Sequence, residues 1–416
     1  MYESVSLPVG GSFIAPMTLS FLSRIGLCMK SLKQEFRMVS VSDLHFGNPR
    51  IDSEKLYLNL VKYFYPEVLK SHLVTINGDI YDQLLAVNSP GYYYITKFIN
   101  DLFYYSDRYG IQIRLLHGTY SHDRDQLDIL ESLAWPNTRY RIIKNIESEV
   151  ITEFRCKDNV LDNFELTVGY VPDNLPYREV QPVVKQLSDT LVLLGKDKLD
   201  LLIGHGTFAH TLPPNIPLPP LTYTVDTFKD IVKGIIVMGH IHVMSHKDNV
   251  YYCGSFERMS HNEEGDKGFY SFTYKDKWVG KFRVNKDATK FNTYSFTETE
   301  VDKLVRGYID ILTKDIGKVN KAYVRVIHPS VDMRAILQQV TRTHFPNVVY
   351  QSKAPKDVEK KILKVSDICL DIKDSIKPTK DNLGDLVYQF LTENGKHIDF
   401  SKDDIINSVD SIVRNM

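Results

Sequence analysis

With 416 residues, 43% of them hydrophobic and 25% charged, the chain has the make-up of an ordinary globular protein with room for two or three domains. A formal net charge of −1 excludes a global basic field, so any nucleic-acid surface must be a local patch. No apolar run approaches the ~20 residues of a membrane span, and the four widely spaced cysteines (Cys28, Cys156, Cys253, Cys369) disfavour a zinc ribbon or a disulfide framework and suit a reducing cytosol.

Residues 1–35 read as an N-terminal extension: mildly apolar, broken by Pro16 and Arg24, and without the basic start of a signal peptide. From Phe36 short apolar runs alternate with helical patterns, the mark of an α/β arrangement. Residues 38–42 form a strand candidate ending in Asp43-Leu44-His45. Residues 53–69 carry Leu56, Leu60, Val61 and Phe64 at helical spacing. A second strand, 73–78, ends in Asp79-Ile80-Tyr81-Asp82. A tyrosine-rich helix follows, with Ile95, Phe98, Ile99, Leu102 and Phe103 as its inward stripe. The third strand, 111–116, leads into Gly118-Thr119-Tyr120-Ser121-His122-Asp123.

The middle is richer in strand signals, at 149–154 and 164–169. The run 199–204 then delivers His205. A proline-rich stretch, 212–220, is too stiff for helix or central strand and reads as a loop between two motifs. The β-branched run 234–238 stops at Gly239-His240-Ile241-His242. Histidines at i and i+2 of an extended segment point to opposite sides, which suits two separate metal ions. We place a domain boundary near 280. Beyond it, 281–375 reads as a small α+β domain, with strands at 322–327 and 348–350 and helices at 298–314 and 333–341. Residues 376–416 carry two amphipathic helices.

Five segments thus share one grammar, an apolar strand followed by a metal-type residue: Asp43/His45, Asp79/Asp82, His122/Asp123, His205 and His240/His242. In a parallel α/β sheet the loops after the strands lie along one edge, so these residues can converge. Two carboxylates and four histidines are the inventory of a two-metal site with one bridging carboxylate. His122 is then placed as general acid for a leaving alkoxide, with Asp123 setting its orientation or tautomer. Mixed imidazole and carboxylate ligation suits manganese, iron or zinc, manganese being the first expectation.

Together Asp43-x-His45, Gly78-Asp79-x-x-Asp82, His122-Asp123, Gly204-His205 and Gly239-His240-x-His242 resemble the calcineurin-like metallophosphoesterase superfamily over residues 36–275. The resemblance implies a four-layer α-β-β-α sandwich over 36–280. It also implies that Asp43, His45, Asp79 and His242 hold one metal, Asp79, His205 and His240 the other, and that His122 is the catalytic acid. One departure stands out. The superfamily reads Gly-Asn-His-Asp where this chain reads Gly118 to Asp123, two residues longer and without the asparagine ligand; Ser121, before the histidine, is the expected hydroxyl substitute.

Tyr252-Cys253-Gly254-Ser255-Phe256-Glu257-Arg258, then Glu264 and Lys267-Gly268-Phe269, narrows the resemblance to SbcD-type nuclease subunits of DNA repair and recombination, phage ones included; Gly169-Tyr170-Val171-Pro172 is similar too. That resemblance implies a DNA nuclease, exonuclease or endonuclease. It implies a DNA-capping domain at 281–375, docking of 376–416 on an SbcC-type coiled-coil ABC ATPase, a homodimer, and a cytoplasmic location, the host's if phage-encoded. The alternatives are a general calcineurin-like phosphatase or cyclic-nucleotide phosphodiesterase, and a scaffold that lost its metals, against which the retained ligands argue. Asp82 reads equally as a loop brace. Arg258 reads as structural and Arg124 as a phosphate contact. His117, His210, His246 and His261 read as surface or supporting residues.

Overall fold

The computed structural model describes residues 35–173, 175–215, 217–317 and 321–355, together with Asp403. Nearly all of the expected N-terminal extension and, Asp403 apart, the expected docking helices lie outside the described residues. The chain divides into two compact units, one reaching to Asn292 and taking in 321–323, the other made of the described residues 293–317 and those from 324 onward. The expected boundary near 280 falls inside a strand of the first unit, Trp278–Val284.

In chain order the strands of the first unit's two large sheets are β1 (Phe36–Val41), β2 (Leu73–Asn77), β3 (Gln112–Leu116), β4 (Arg139–Ile143), β5 (Glu147–Ile151), β6 (Leu166–Val171), β7 (Leu199–His205), β8 (Val232–Gly239), β9 (Ser245–Lys247), β10 (Val250–Tyr252), β11 (Gly268–Tyr274) and β12 (Trp278–Val284). One six-stranded sheet has the order β12-β11-β1-β2-β3-β4, the other β9-β10-β8-β7-β6-β5. The ladder β1 to β4 is parallel, as is the run β6, β7, β8, β10, while antiparallel strands close the edges. The architecture is mixed α/β.

Alternation along the strands sorts side chains into separate apolar clusters. Val39, Val41, Val74 and Ile76 pack with Leu56, Phe98 and Leu102, whereas Phe36, Met38 and Leu73 join Leu201, Ile203, Ile235 and Val237 from the second sheet. A third cluster sets Leu202, Ile236 and Met238 against Val183, Leu187 and Leu191. Those three come from a helix, Val180–Leu193. Between the sheets the face turns polar toward the strand ends: buried Ser40 accepts hydrogen bonds from Thr75 Oγ1 at 2.7 Å and Asn77 Nδ2 at 2.9 Å.

Two helices flank the first sheet. Helix α1 (Ser53–Asn59) is capped by the Asp52 carboxylate, which accepts from Glu54 N and Lys55 N. The chain stays helical to Val68 through a wide π turn at Leu60–Phe64. Helix α2 (Pro90–Tyr109) starts at the Ser89 cap and stops at Gly110 in the left-handed conformation, φ 74°. Its expected stripe, Ile95, Phe98, Ile99, Leu102 and Phe103, is fully buried.

The second unit is a small α+β assembly. Its elements are α3 (Val301–Asp315), α4 (Val331–His344), β15 (Val348–Lys353) and the later residues of β13 (Lys290–Ser295) and β14 (Ala322–Ile327), two strands whose first residues are counted with the first unit; the sheet order is β13-β14-β15. Leu304, Tyr308, Leu312 and Leu337 are buried, and Tyr308 Oη shares a hydrogen bond with Thr341 Oγ1 at 2.7 Å.

Candidate metal centre

The loops after β1 and β2 run side by side: Asp43 N donates to Gly78 O and His45 N to Asp79 O, each at 3.1 Å. On the second sheet Gly239 is in register with His205, so His240 follows directly beside it. Asp43, His45, Asp79 and His240 all have positive φ, between 49° and 90°. Such backbone costs energy for residues bearing a side chain and persists where the surroundings fix it. Here it turns each side chain off its strand end toward a common space.

Three groups of histidine and carboxylate have ligand atoms within 4.8 Å of one another: Asp43, His45 and His242; Asp79, His205 and His240; and His45, Asp82 and His122. Any of these could hold a metal ion. Asp79 lies between the first two, its Oδ2 3.8 Å from His45 Nε2 and 3.4 Å from His205 Nε2. All six expected ligands are thus brought together. Asp43, His45, Asp79 and His205 are almost wholly buried, His240 and His242 partly so. The third group is better read as support, because Asp82 Oδ1 faces the far side of the His45 ring, 3.2 Å from Nδ1.

The donor chemistry fits a cation. His45 Nε2 and His242 Nε2 face one another at 3.1 Å. On the opposite side of each ring Nδ1 faces a carboxylate, Asp82 for His45 and Glu263 Oε1 at 3.3 Å for His242. A proton held on Nδ1 toward a carboxylate turns the Nε2 lone pair outward; the hydrogen bond to Glu263 favours this for His242, and the nearby Asp82 charge favours it for His45. His205 repeats the pattern, with Nδ1 on Asn77 O at 2.6 Å and a buried Nε2 that has no hydrogen-bond partner. Glycine makes room for this ring: a Cβ on Gly78 would stand 2.3 Å from His205 Nδ1, and one on Gly118 2.2 Å from Asp79 N.

The charges are strongly coupled. Burial alone would raise the Asp79 pKa, but His205, and then His45 and His122, hold it well below the usual carboxylate range. Burial opposes charge on His205, yet the Asp79 carboxylate outweighs it and pushes the ring up to about 10. Burial and the neighbouring His205 lower His240. Burial likewise opposes charge on His242, which the hydrogen bond to Glu263 and the Asp43 charge raise instead. A divalent ion would take the place of these protons.

Two expected roles are corrected. Asp123 does not orient His122: its fully buried carboxylate accepts four backbone hydrogen bonds, from Asp79 N, Ile80 N, Tyr81 N and Gly118 N, at 2.8–3.1 Å. Burial and the Asp79 charge push its pKa up to about 6 against those donors. The partner of His122 Nδ1 is the backbone carbonyl of Asp82, at 2.5 Å, which fixes the proton on Nδ1 and leaves Nε2 free for other work. Nor does Ser121 take the asparagine's place. The short helical turn Tyr120–Asp123 leaves it exposed, and Thr119 stands beside Asp79 instead, with N 2.6 Å from Oδ1 and Oγ1 3.4 Å from Oδ2.

Glu263 escaped the sequence reading, which took its neighbour Glu264. Glu263 meets His242, Ser255 Oγ at 3.2 Å and the buried Lys267 Nζ at 2.8 Å, and its pKa falls to about 2 because His242 and Lys267 prevail over burial. No local signal separates it from Glu264, because residues 263–267 are not helical and the helical i, i+4 pairing rule does not apply there. Arg258 is structural as expected, spanning the carbonyls of Gly265, Ala288 and Thr289. Arg124 is exposed, His246 is exposed, and His117 and His261 are buried but belong to none of the three groups. No helix among the described residues is long and apolar enough to cross a membrane. No protein-family model and no curated protein matches the chain.

Proposed function

We propose that the chain is a metal-dependent phosphoesterase whose substrate is DNA, a nuclease of the SbcD type acting with an SbcC-type ATPase and pairing as a homodimer. The observation that carries this reading is Asp79 lying between two histidine-carboxylate groups, with the His122 ring edge-on to His45 at a centroid distance of 4.8 Å. The three apolar clusters, helix to sheet, sheet to sheet and sheet to helix, support an α-β-β-α layering for residues 36–280.

Asp43, His45, Asp79 and His242 would hold one divalent ion and Asp79, His205 and His240 a second, manganese being the first choice. Ions so placed supply an activated water and neutralise charge gathering on a phosphate. The protein's own part is positional. Asp79 and the left-handed turns fix the spacing of the ligands. His122, with Nδ1–H pinned to the Asp82 carbonyl, presents Nε2; in its protonated form that nitrogen donates to the departing 3′ or 5′ alkoxide.

Manganese-dependent cleavage of linear duplex and single-stranded DNA by the purified chain tests the proposal. Turnover of a chromogenic phosphodiester without any action on DNA would replace it with the general phosphodiesterase reading, which the near-neutral charge also accommodates.

A further inference from the structure

The two halves of the centre are built unequally. In the Asp43–His45–His242 half, two carboxylates, Asp43 and Asp79, stand by the ring nitrogens, and both rings are backed on Nδ1 by a further carboxylate, Asp82 or Glu263. A carboxylate behind an imidazole fixes its tautomer and strengthens it as a ligand. In the Asp79–His205–His240 half only the shared Asp79 supplies charge at the ligand positions. His205 is backed by a neutral carbonyl, Asn77 O. Asp43 and Asp173 are near enough to act on both rings electrostatically, but among the described contacts neither ring hydrogen-bonds to either carboxylate.

A further oxygen is within reach of this poorer half. Thr119 Oγ1 lies 3.4 Å from Asp79 Oδ2, and that same oxygen lies 3.4 Å from the buried, unpartnered His205 Nε2. Donors that share one divalent ion stand about 3–3.4 Å apart. The Thr119 amide, 2.6 Å from Asp79 Oδ1, keeps the residue in register with the carboxylate.

We infer that Thr119 supplies a neutral hydroxyl donor to the Asp79–His205–His240 half, and that this half fills last and empties first. The inference rests on the phosphoesterase reading and assigns an order of loading within it. A hydroxyl is a weaker donor than a carboxylate or an amide carbonyl, and the missing negative charge leaves a second dication less well neutralised.

Calorimetric titration of the stripped full-length protein with manganese, paired with elemental analysis after gel filtration in metal-free buffer, tests this. Two steps at least tenfold apart are expected, with about one ion per chain retained after filtration. Thr119→Val, which keeps the amide and the shape, should weaken only the looser step by about tenfold; Thr119→Asn, which adds an amide oxygen, should tighten that step. Circular dichroism melts establish that both variants fold. Two equal steps, a single ion with no second step, or a looser step indifferent to Thr119→Val would overturn the inference and leave the phosphoesterase reading standing. A folded chain that binds no manganese would instead sink that reading itself.

Discussion

His45 Nε2 and His242 Nε2 face each other at 3.1 Å across the space between the two sheets' strand ends, each ring buttressed from behind by a carboxylate. The residues are 197 positions apart in sequence. Their meeting depends on two loops from two sheets, and on Asp82 and Glu263 holding the rings at a fixed tilt.

Removing either buttress should therefore act on metal affinity before it acts on the fold. Asp82→Asn and Glu263→Gln are each expected to weaken manganese binding by about 10- to 100-fold. Neither should move the melting temperature by more than a few degrees, since both side chains stay hydrogen-bonding amides. Titration calorimetry and thermal melts on the same samples separate the two effects; equal affinity in the variants would refute the buttress role.

His122 predicts a different split. His122→Gln leaves all six ligands in place, so metal content should be unchanged while DNA cleavage slows by about 100- to 10,000-fold. Full cleavage by this variant would show that protonation of the leaving group comes from elsewhere.

Asp123 is a fold residue lodged inside a site motif. Truncation by Asp123→Ala abandons four buried amides, and a loss of about 2–4 kcal/mol is expected even after partial rescue by water. Metal binding should fall with it, because three of those amides belong to Asp79, Ile80 and Tyr81. Denaturant unfolding at neutral pH measures the first effect. A variant as stable as the parent would show that the four bonds contribute little net.

His72, away from the centre, gives a pH prediction. Its buried ring accepts a hydrogen bond from Arg37 N at 3.0 Å, and burial, then the Arg37 charge, push its pKa down to about 4 from 6.5. Between those values the unfolded chain binds a proton that the native chain refuses, so stability falls as pH falls through that window. The contribution is at most about 1.4 kcal/mol per pH unit. His72→Asn can keep the acceptor and does not titrate; its stability should vary less steeply from pH 6.5 to 4, by up to one proton. Parallel slopes in denaturant melts across that range would contradict this.

Much of the centre was legible because its ligands obey a local rule. An apolar run such as 234–238 announces a buried strand, and the residues just past its end are the ones a parallel sheet presents at its edge. What escaped was set by contacts remote in sequence. Nothing local tells Glu263 from Glu264; only the reach from Lys267 to His242 selects it. Thr119 lost to Ser121 because alignment on the histidine ignores the helical turn at 120–123, which carries Ser121 outward. Asp123 was misassigned because adjacency to His122 suggests partnership, whereas a helical turn sends neighbours to different sides. The π turn at 60–64 left no mark on the apolar spacing of 53–69, since one widened turn shifts the stripe by only a fraction of a residue.

The left-handed turns at Asp43, His45, Asp79 and His240 bear on how a cation would be received. Their shape is imposed by amide and carbonyl pairing between neighbouring loops, contacts that owe nothing to a cation. The placement of these four residues is thus written into the loop backbone. A cation entering such a place would meet donors already ordered by the backbone, so its capture would cost the chain little conformational freedom.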